Sequence, residues 1–188
     1  MLGAFGLVAR QVGGLALAFT CLVIAAAVAG FFVMNWPRGK IFLGDGGAYF
    51  LGFALAWIAV LLPERNASVS PWSSLLICIY PIAEVVMSFV RKSLRPGSHP
   101  SQPDAVHLHM LANRRWAKKL WPNASLTTQN GLTAPLLWLY TLLPCSAAVF
   151  FYTSFWATLG ALVVSFVFYL LMYHKLAFFR WLPRGKQD

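Results

Sequence analysis

The residue most able to do chemistry in this chain is Asp45, one of only five acids in 188 residues. It sits in NWPRGKIFLGDGGAYFLG, residues 35–52, just after Arg38 and Lys40 and among Gly44, Gly46 and Gly47. Long apolar runs lie on both sides. A charged knot between two membrane-length stretches is costly to place in lipid, so it belongs to a water-facing loop or a working site. Asp45 stands where the second apolar run begins, which leaves open a helix cap, a cation ligand, or both.

A second group of reactive residues lies in the one large polar segment, residues 91–131. It carries Arg91, Lys92, Arg95, Arg114, Arg115, Lys118 and Lys119, with His99, His107, His109 and the single acid Asp104. A site rich in base and poor in acid at a membrane surface suits a phosphorylated soluble substrate meeting a lipid. Lys and Arg neutralise phosphate, and an Asp beside them holds magnesium, which bridges phosphate oxygens. His107 and His109 are two apart. On a helix that spacing does not put both on one face, which argues against a zinc pair. One of them facing the site as a phosphate contact or proton carrier is the functional reading, and an ordinary polar interface residue is the bland one. His99 and His174 carry weaker signals. Glu84 lies inside an apolar run, where an acid is a functional hypothesis by default. Its equal alternative is a partner for a polar group or base near the helix end.

These residues are held by apolar elements. The chain is 59% hydrophobic and only 11% charged, against about 25% charge in a soluble domain. This predicts an all-α, polytopic membrane bundle with about five spans, near residues 12–34, 47–62, 71–90, 132–152 and 156–173. Residues 1–11 read as short and weakly apolar, and the start lacks the basic region of a cleaved signal peptide. Pro81 predicts a kink in the third span, and Pro135 or Pro144 one in the fourth. Residues 105–120 read as a short amphipathic helix on the membrane surface, capped by Asp104 and with Trp116 and Trp121 at the interface. Cys21, Cys78 and Cys145 each fall in an apolar run and read as small buried residues.

The formal net charge of +10 does not point to nucleic acid, because the bases lie in short segments between apolar runs. The loop 35–46, the loop 91–131 and the basic tail hold thirteen of the fifteen Lys and Arg residues, leaving Arg10 and Arg65 on the other side. The positive-inside rule then puts the N-terminus outside and the C-terminus inside, with both loops cytoplasmic and facing lipid headgroups. Asp45, His107 and His109 are expected to converge there.

Two motifs carry a resemblance to a known family. The first is the segment around Asp45, matched at Asn35, Pro37, Lys40, Ile41, Phe42, Gly44, Asp45, Gly47, Leu51 and Gly52. The second is PDAVHLHML, matched at Pro103, Asp104, His107, Leu108 and His109. Between them YPIAEVVMSFVRK resembles the family's proline-to-arginine helix, with Glu84 where many members have aspartate and Arg91 following. The chain resembles the polyprenyl-phosphate N-acetylhexosamine-1-phosphate transferases of glycosyl transferase family 4. These enzymes begin peptidoglycan-lipid, O-antigen and teichoic-linkage synthesis at the bacterial inner membrane.

The resemblance implies a phosphosugar transfer from a UDP-N-acetylhexosamine to undecaprenyl phosphate with release of UMP. It implies Mg2+ as cofactor, with Mn2+ as an alternative, and homodimers as a common assembly. It makes Asp45 the metal-side aspartate and, with His107 and His109, the catalytic set. It puts Asn35, Lys40, Arg91, Asp104, Arg114 and Arg115 on the substrate, and leaves Glu84, Gly44, Gly47 and Gly52 as structural or unassigned. Ala48, Ala105 and Met110 depart from the usual Ser, Arg and His, which marks another sugar or weakened activity. The resemblance covers only the C-terminal half of the family. The paired aspartates of its members fall upstream, and no acid precedes Asp45 here. The expectation is therefore a fragment or one part of a split enzyme. A non-catalytic remnant or partner subunit of a full-length transferase is the alternative.

Overall fold

A computed structural model describes residues 1–37, 39–93 and 107–178. Arg38, Arg95, His99, Asp104 and the basic tail beyond Phe178 lie outside the described residues. The regular structure is helical throughout: α1 (Leu2–Gln11), α2 (Leu15–Asn35), α3 (Gly44–Arg65), α4 (Pro71–Ile77), α5 (Ile79–Ser93), α6 (Leu108–Ala112), a π-helical turn (Asn113–Ala117), α7 (Lys118–Leu120), α8 (Leu126–Phe151) and α9 (Phe155–Phe178). Helices α2, α3, α8 and α9 are long and apolar enough to cross a bilayer. Twenty-one residues, the length of α2, span about 30 Å. α4 and α5 meet at a 75° bend and make a fifth crossing if the pair is one broken span. Phe19, Phe53, Phe150 and Trp156 project outward from the long helices, as residues facing lipid would.

The boundaries differ from the sequence reading in ways that have physical causes. Residues 2–11 form a helix of their own, α1, which buries Ala4, Phe5, Val8 and Ala9. It turns into α2 through Gly13, at φ +79°. The amide of Gly14 donates to the Ala9 carbonyl at 2.8 Å and that of Gly13 to Arg10 at 3.1 Å, a Schellman closure that needs the left-handed residue. α8 begins at Leu126, six residues before the expected start, because Ser125 caps it: its Oγ accepts from the Thr128 amide at 3.2 Å. Asp45 is not a cap. Leu43 occupies that position without a side-chain bond, and Asp45 lies in the first turn of α3, where its charge still favours the positive end of the helix dipole.

The prolines act through the carbonyls they release. A proline lacks the amide that would bond the carbonyl four residues earlier, and its ring crowds that group. The third apolar run breaks at Cys78 rather than at Pro81, because Pro81 frees the carbonyl of Ile77. Cys145 Sγ on α8 lies 3.8 Å from that oxygen. Pro135 lies inside α8 without breaking it. The Gly131 carbonyl it frees accepts the Trp36 indole N–H at 3.0 Å.

Two buried clusters hold the helices. The first joins α1 to Leu17, Cys21, Ile58, Leu62, Ile77 and Cys145. All three cysteines are free and buried. The second surrounds Ala83, Leu108, Leu111, Tyr140, Tyr169 and Tyr173, directly beneath α6. The loop after α2, the C-terminal end of α5, the α6–α7 segment and the start of α8 gather at one end of the bundle. At the other end Ser70 ties α4 to the α8–α9 turn, its amide donating to the Tyr152 carbonyl at 2.7 Å.

Candidate functional site

The histidine segment is fastened by Glu84. Tyr80, Glu84, Met87 and Arg91 recur at helical spacing along one face of α5. Glu84 Oε1 accepts the Leu108 amide at 3.0 Å, and Oε2 lies 2.7 Å from His107 Nδ1. Leu108 N–H is one of the first-turn donors with no partner inside its own helix. A carboxylate from a different helix therefore does the work of an N-cap, with only 12% of its side chain exposed. His107 is the residue before α6, in an extended conformation. The helix starts at Leu108, after the extended His107, so the spacing argument for histidines on opposite faces does not apply. The two rings stack instead, 5.7 Å apart and 10° from parallel. Partial burial lowers the pKa of His109, the charge of Glu84 opposes that, and His107 adds to it.

Beyond the stacked histidines lies a groove of about 540 Å3 lined by His109, Asn113, Arg114, Lys118, Asn130 and Thr133, among others. The π turn widens the helix to five residues per hydrogen-bonded step, so Asn113 and Lys118 share the groove wall with Arg114. Asn113 Nδ2 donates to Asn130 Oδ1 at 2.8 Å and to Thr133 Oγ1 at 3.1 Å, joining the turn to α8. This arrangement presents two fixed cations, amides and a hydroxyl, which is suited to a phosphorylated polar ligand. Arg115 is exposed and is not part of that wall. Arg91 faces α9: its Nη1 donates to the Tyr173 hydroxyl and its guanidinium carbon lies 5.2 Å from that ring's centre.

Asp45 occupies a different groove, of about 480 Å3, with Phe31, Asn35, Ile41, Leu43 and Ala48. Asp45 and Lys40 are exposed. Asn35 shapes the loop: its Oδ1 accepts the Ile41 amide at 3.3 Å and its carbonyl the Gly39 amide at 2.6 Å. Gly44 has φ +69°. A Cβ on Gly47 would come within 2.8 Å of the Leu43 side chain, whereas one on Gly52 would meet nothing. The structure thus does not bring Asp45, His107 and His109 into one groove. The two grooves are neighbours across α8. Trp36 binds the Gly131 carbonyl, and a Cβ on Gly131 would stand 2.5 Å from the Pro37 oxygen, while Asn130 and Thr133 on the same turns line the histidine side.

Among the described residues, no three His, Cys, Asp or Glu side chains come together to hold a metal. Asp45 is, among the described residues, the sole acid lining its groove. Magnesium keeps several waters and is held through one or two carboxylates together with substrate phosphates, and Asp45 is one such carboxylate.

Sequence reasoning missed Asn113, Asn130 and Thr133, and named Lys118 only among the bases of the polar segment. Lys118 was visible as the fourth residue after Arg114, one helical turn on. Asn130 was hidden because an apolar run counted from residue 132 left it in the polar loop, and Thr133 because it read as part of that run.

Residues 1–63 match the family described as glycosyl transferase family 4. The chain is 32% identical over 117 residues to an undecaprenyl-phosphate alpha-N-acetylglucosaminyl 1-phosphate transferase of Yersinia pestis, covering 60% of this chain and 32% of that protein. The protein of the same description from Escherichia coli K12 is 31% identical over 116 residues, 59% of this chain and 31% of the relative. The one from Haemophilus influenzae is 24% identical over 195 residues, 98% of this chain and 51% of the relative. The chain is therefore related, over part of its length, to family-4 transferases of this kind, and spans between about a third and a half of the relatives it matches. No solved structure matches it.

Proposed function

We propose that this chain forms the acceptor-facing and nucleotide-facing half of a phosphosugar transferase that moves an N-acetylhexosamine 1-phosphate from a UDP-sugar to undecaprenyl phosphate. A phosphate oxygen of the lipid attacks the β-phosphorus of the UDP-sugar. A new phosphoanhydride bond forms, the bond from that phosphorus to the bridging oxygen breaks, and UMP leaves with the electron pair. The reading rests above all on the basic groove at the end of the bundle, where Arg114 and Lys118 stand beside His109. Their charge offsets that of the diphosphate as UMP departs. Asn113, Asn130 and Thr133 offer hydrogen bonds to a sugar or nucleotide, and Lys40 and Asp45 face the same end of the bundle across α8. This end is taken as cytoplasmic, since bases collect there and, among the described residues, Arg10 and Arg65 are the bases at the other.

Magnesium would be held on this reading by Asp45, with substrate phosphate and waters completing its shell. That Asp45 is, among the described residues, the one carboxylate at its groove favours a second reading, in which the chain is a non-catalytic partner of a full-length transferase. UMP release from UDP-N-acetylglucosamine and undecaprenyl phosphate in membranes tests both. Release that depends on magnesium and on Asp45 supports the transferase. Release absent from this chain alone, and absent also when the upstream half of a relative is co-expressed, overturns it.

A further inference from the structure

Glu84 meets two donors at once, one with each carboxylate oxygen. An ionised carboxylate has only acceptor sites. Leu108 N–H donates to Oε1 and His107 Nδ1 lies 2.7 Å from Oε2, so the ring nitrogen that meets Glu84 must carry a proton. In the neutral imidazole the other nitrogen, Nε2, then keeps its lone pair. The same carboxylate locks the ring's orientation, because the backbone of Leu108, which is fully buried, is held by its other oxygen. The titratable groups facing Glu84 are Tyr80 on its own helix, Tyr140 on α8, Tyr169 on α9, and His107 and His109. Of these, His107 meets the carboxylate through a ring nitrogen whose proton has two possible seats, so it is the group on which Glu84 can act by proton placement.

We propose that Glu84 is a positioning residue that fixes His107 as its Nδ1–H tautomer and so makes Nε2 the ring nitrogen able to accept a proton. The role of His107 in a reaction rests on the transferase reading above; its tautomer does not.

Substitution by glutamine separates the two donors. The Leu108 amide can only donate, so it takes the carboxamide oxygen that Glu84→Gln introduces. The carboxamide nitrogen is then left to donate to His107 Nδ1, which forces the ring proton to Nε2. Volume is preserved, and helix α6 keeps its acceptor. Glu84→Asp retains an acceptor-only group on a shorter arm.

The test is 15N NMR of histidine-labelled full-length chain in lipid nanodiscs at about pH 8, above the ordinary histidine range, with the His107 signals assigned by their loss in His107→Asn. Wild type and Glu84→Asp are expected to show a protonated Nδ1 and an unprotonated Nε2, and Glu84→Gln the reverse. UMP release, measured with whatever upstream segment turnover requires, is expected to fall about 10- to 100-fold in kcat for Glu84→Gln, with KM for the UDP-sugar held within about 2-fold and partial rescue by Glu84→Asp. A wild-type His107 protonated at Nε2, or a tautomer unmoved by Glu84→Gln, overturns the proposal. So does a reversed tautomer with unchanged kcat. Wild-type turnover absent in every preparation overturns the transferase reading instead, while the NMR result still decides whether Glu84 sets the tautomer.

Discussion

At the scale of single residues, the groove depends on charges that differ in how firmly they are held. Arg114 and Lys118 are exposed, so their attraction for a phosphorylated ligand is screened by salt. Alanine at either is expected to weaken UDP-sugar binding about 3- to 10-fold, read by calorimetric titration, with the loss shrinking as ionic strength rises. His109 behaves differently. Its pKa is lowered by partial burial, against the opposing charge of Glu84, so the folded protein binds that proton less readily than the unfolded chain. Stability associated with His109 is then complete above its unfolded pKa, near 6.5, and drains away as pH falls through the lowered folded value. Thermal unfolding in detergent should show a larger loss from pH 7.5 to 5.5 for the wild type than for His109→Gln. An equal loss would mean that His109 carries none of the acid sensitivity.

Elements explain which parts of this were readable. The apolar runs announced about five membrane-length helices, of which four are long enough and a bent pair makes the fifth if it is one span, because bilayer thickness fixes their length and every backbone bond must close within them. α1 escaped notice because ten residues are too few to span, and its burial depends on α2 rather than on its own pattern. The bond from Glu84 to Leu108 was equally out of reach. It joins an acid to a backbone amide 24 residues away, and no spacing rule registers a backbone donor. The prolines were legible as residues but not in effect, since what each does is decided by who takes the released carbonyl. This can be tested at Trp36. Trp36→Phe removes the donor to Gly131 and is expected to cost about 1 kcal/mol, partly through an orphaned acceptor. Pro135→Ala restores an amide four residues on from Gly131, so the double variant should recover part of that loss. Unfolding midpoints of the two single variants and the double variant complete the cycle. Strict additivity would show that the indole and the proline do not share the carbonyl.

For the whole molecule, the proposed transferase function turns on which end of the bundle meets the cytoplasm, because a UDP-sugar would reach it from the cytoplasm and a lipid phosphate from either surface. Every groove residue discussed lies at the end holding Lys40, Arg91, Lys92, Arg114, Arg115, Lys118, Lys119 and Lys175, while Arg10 and Arg65 mark the opposite end. Translocation of that many bases across the membrane is opposed by the potential and by anionic inner-leaflet lipid. The three native cysteines are buried, so a single new thiol can report the side it faces. Lys119 and Ala67 are both exposed, at opposite ends. In spheroplasts treated with a membrane-impermeant maleimide, Ala67→Cys should label directly, and Lys119→Cys only after lysis. The reverse pattern would place the histidines and Arg114 outside the cell, away from any UDP-sugar. It would remove the transferase reading while leaving the helices, the α8 wall and the Glu84 contact intact.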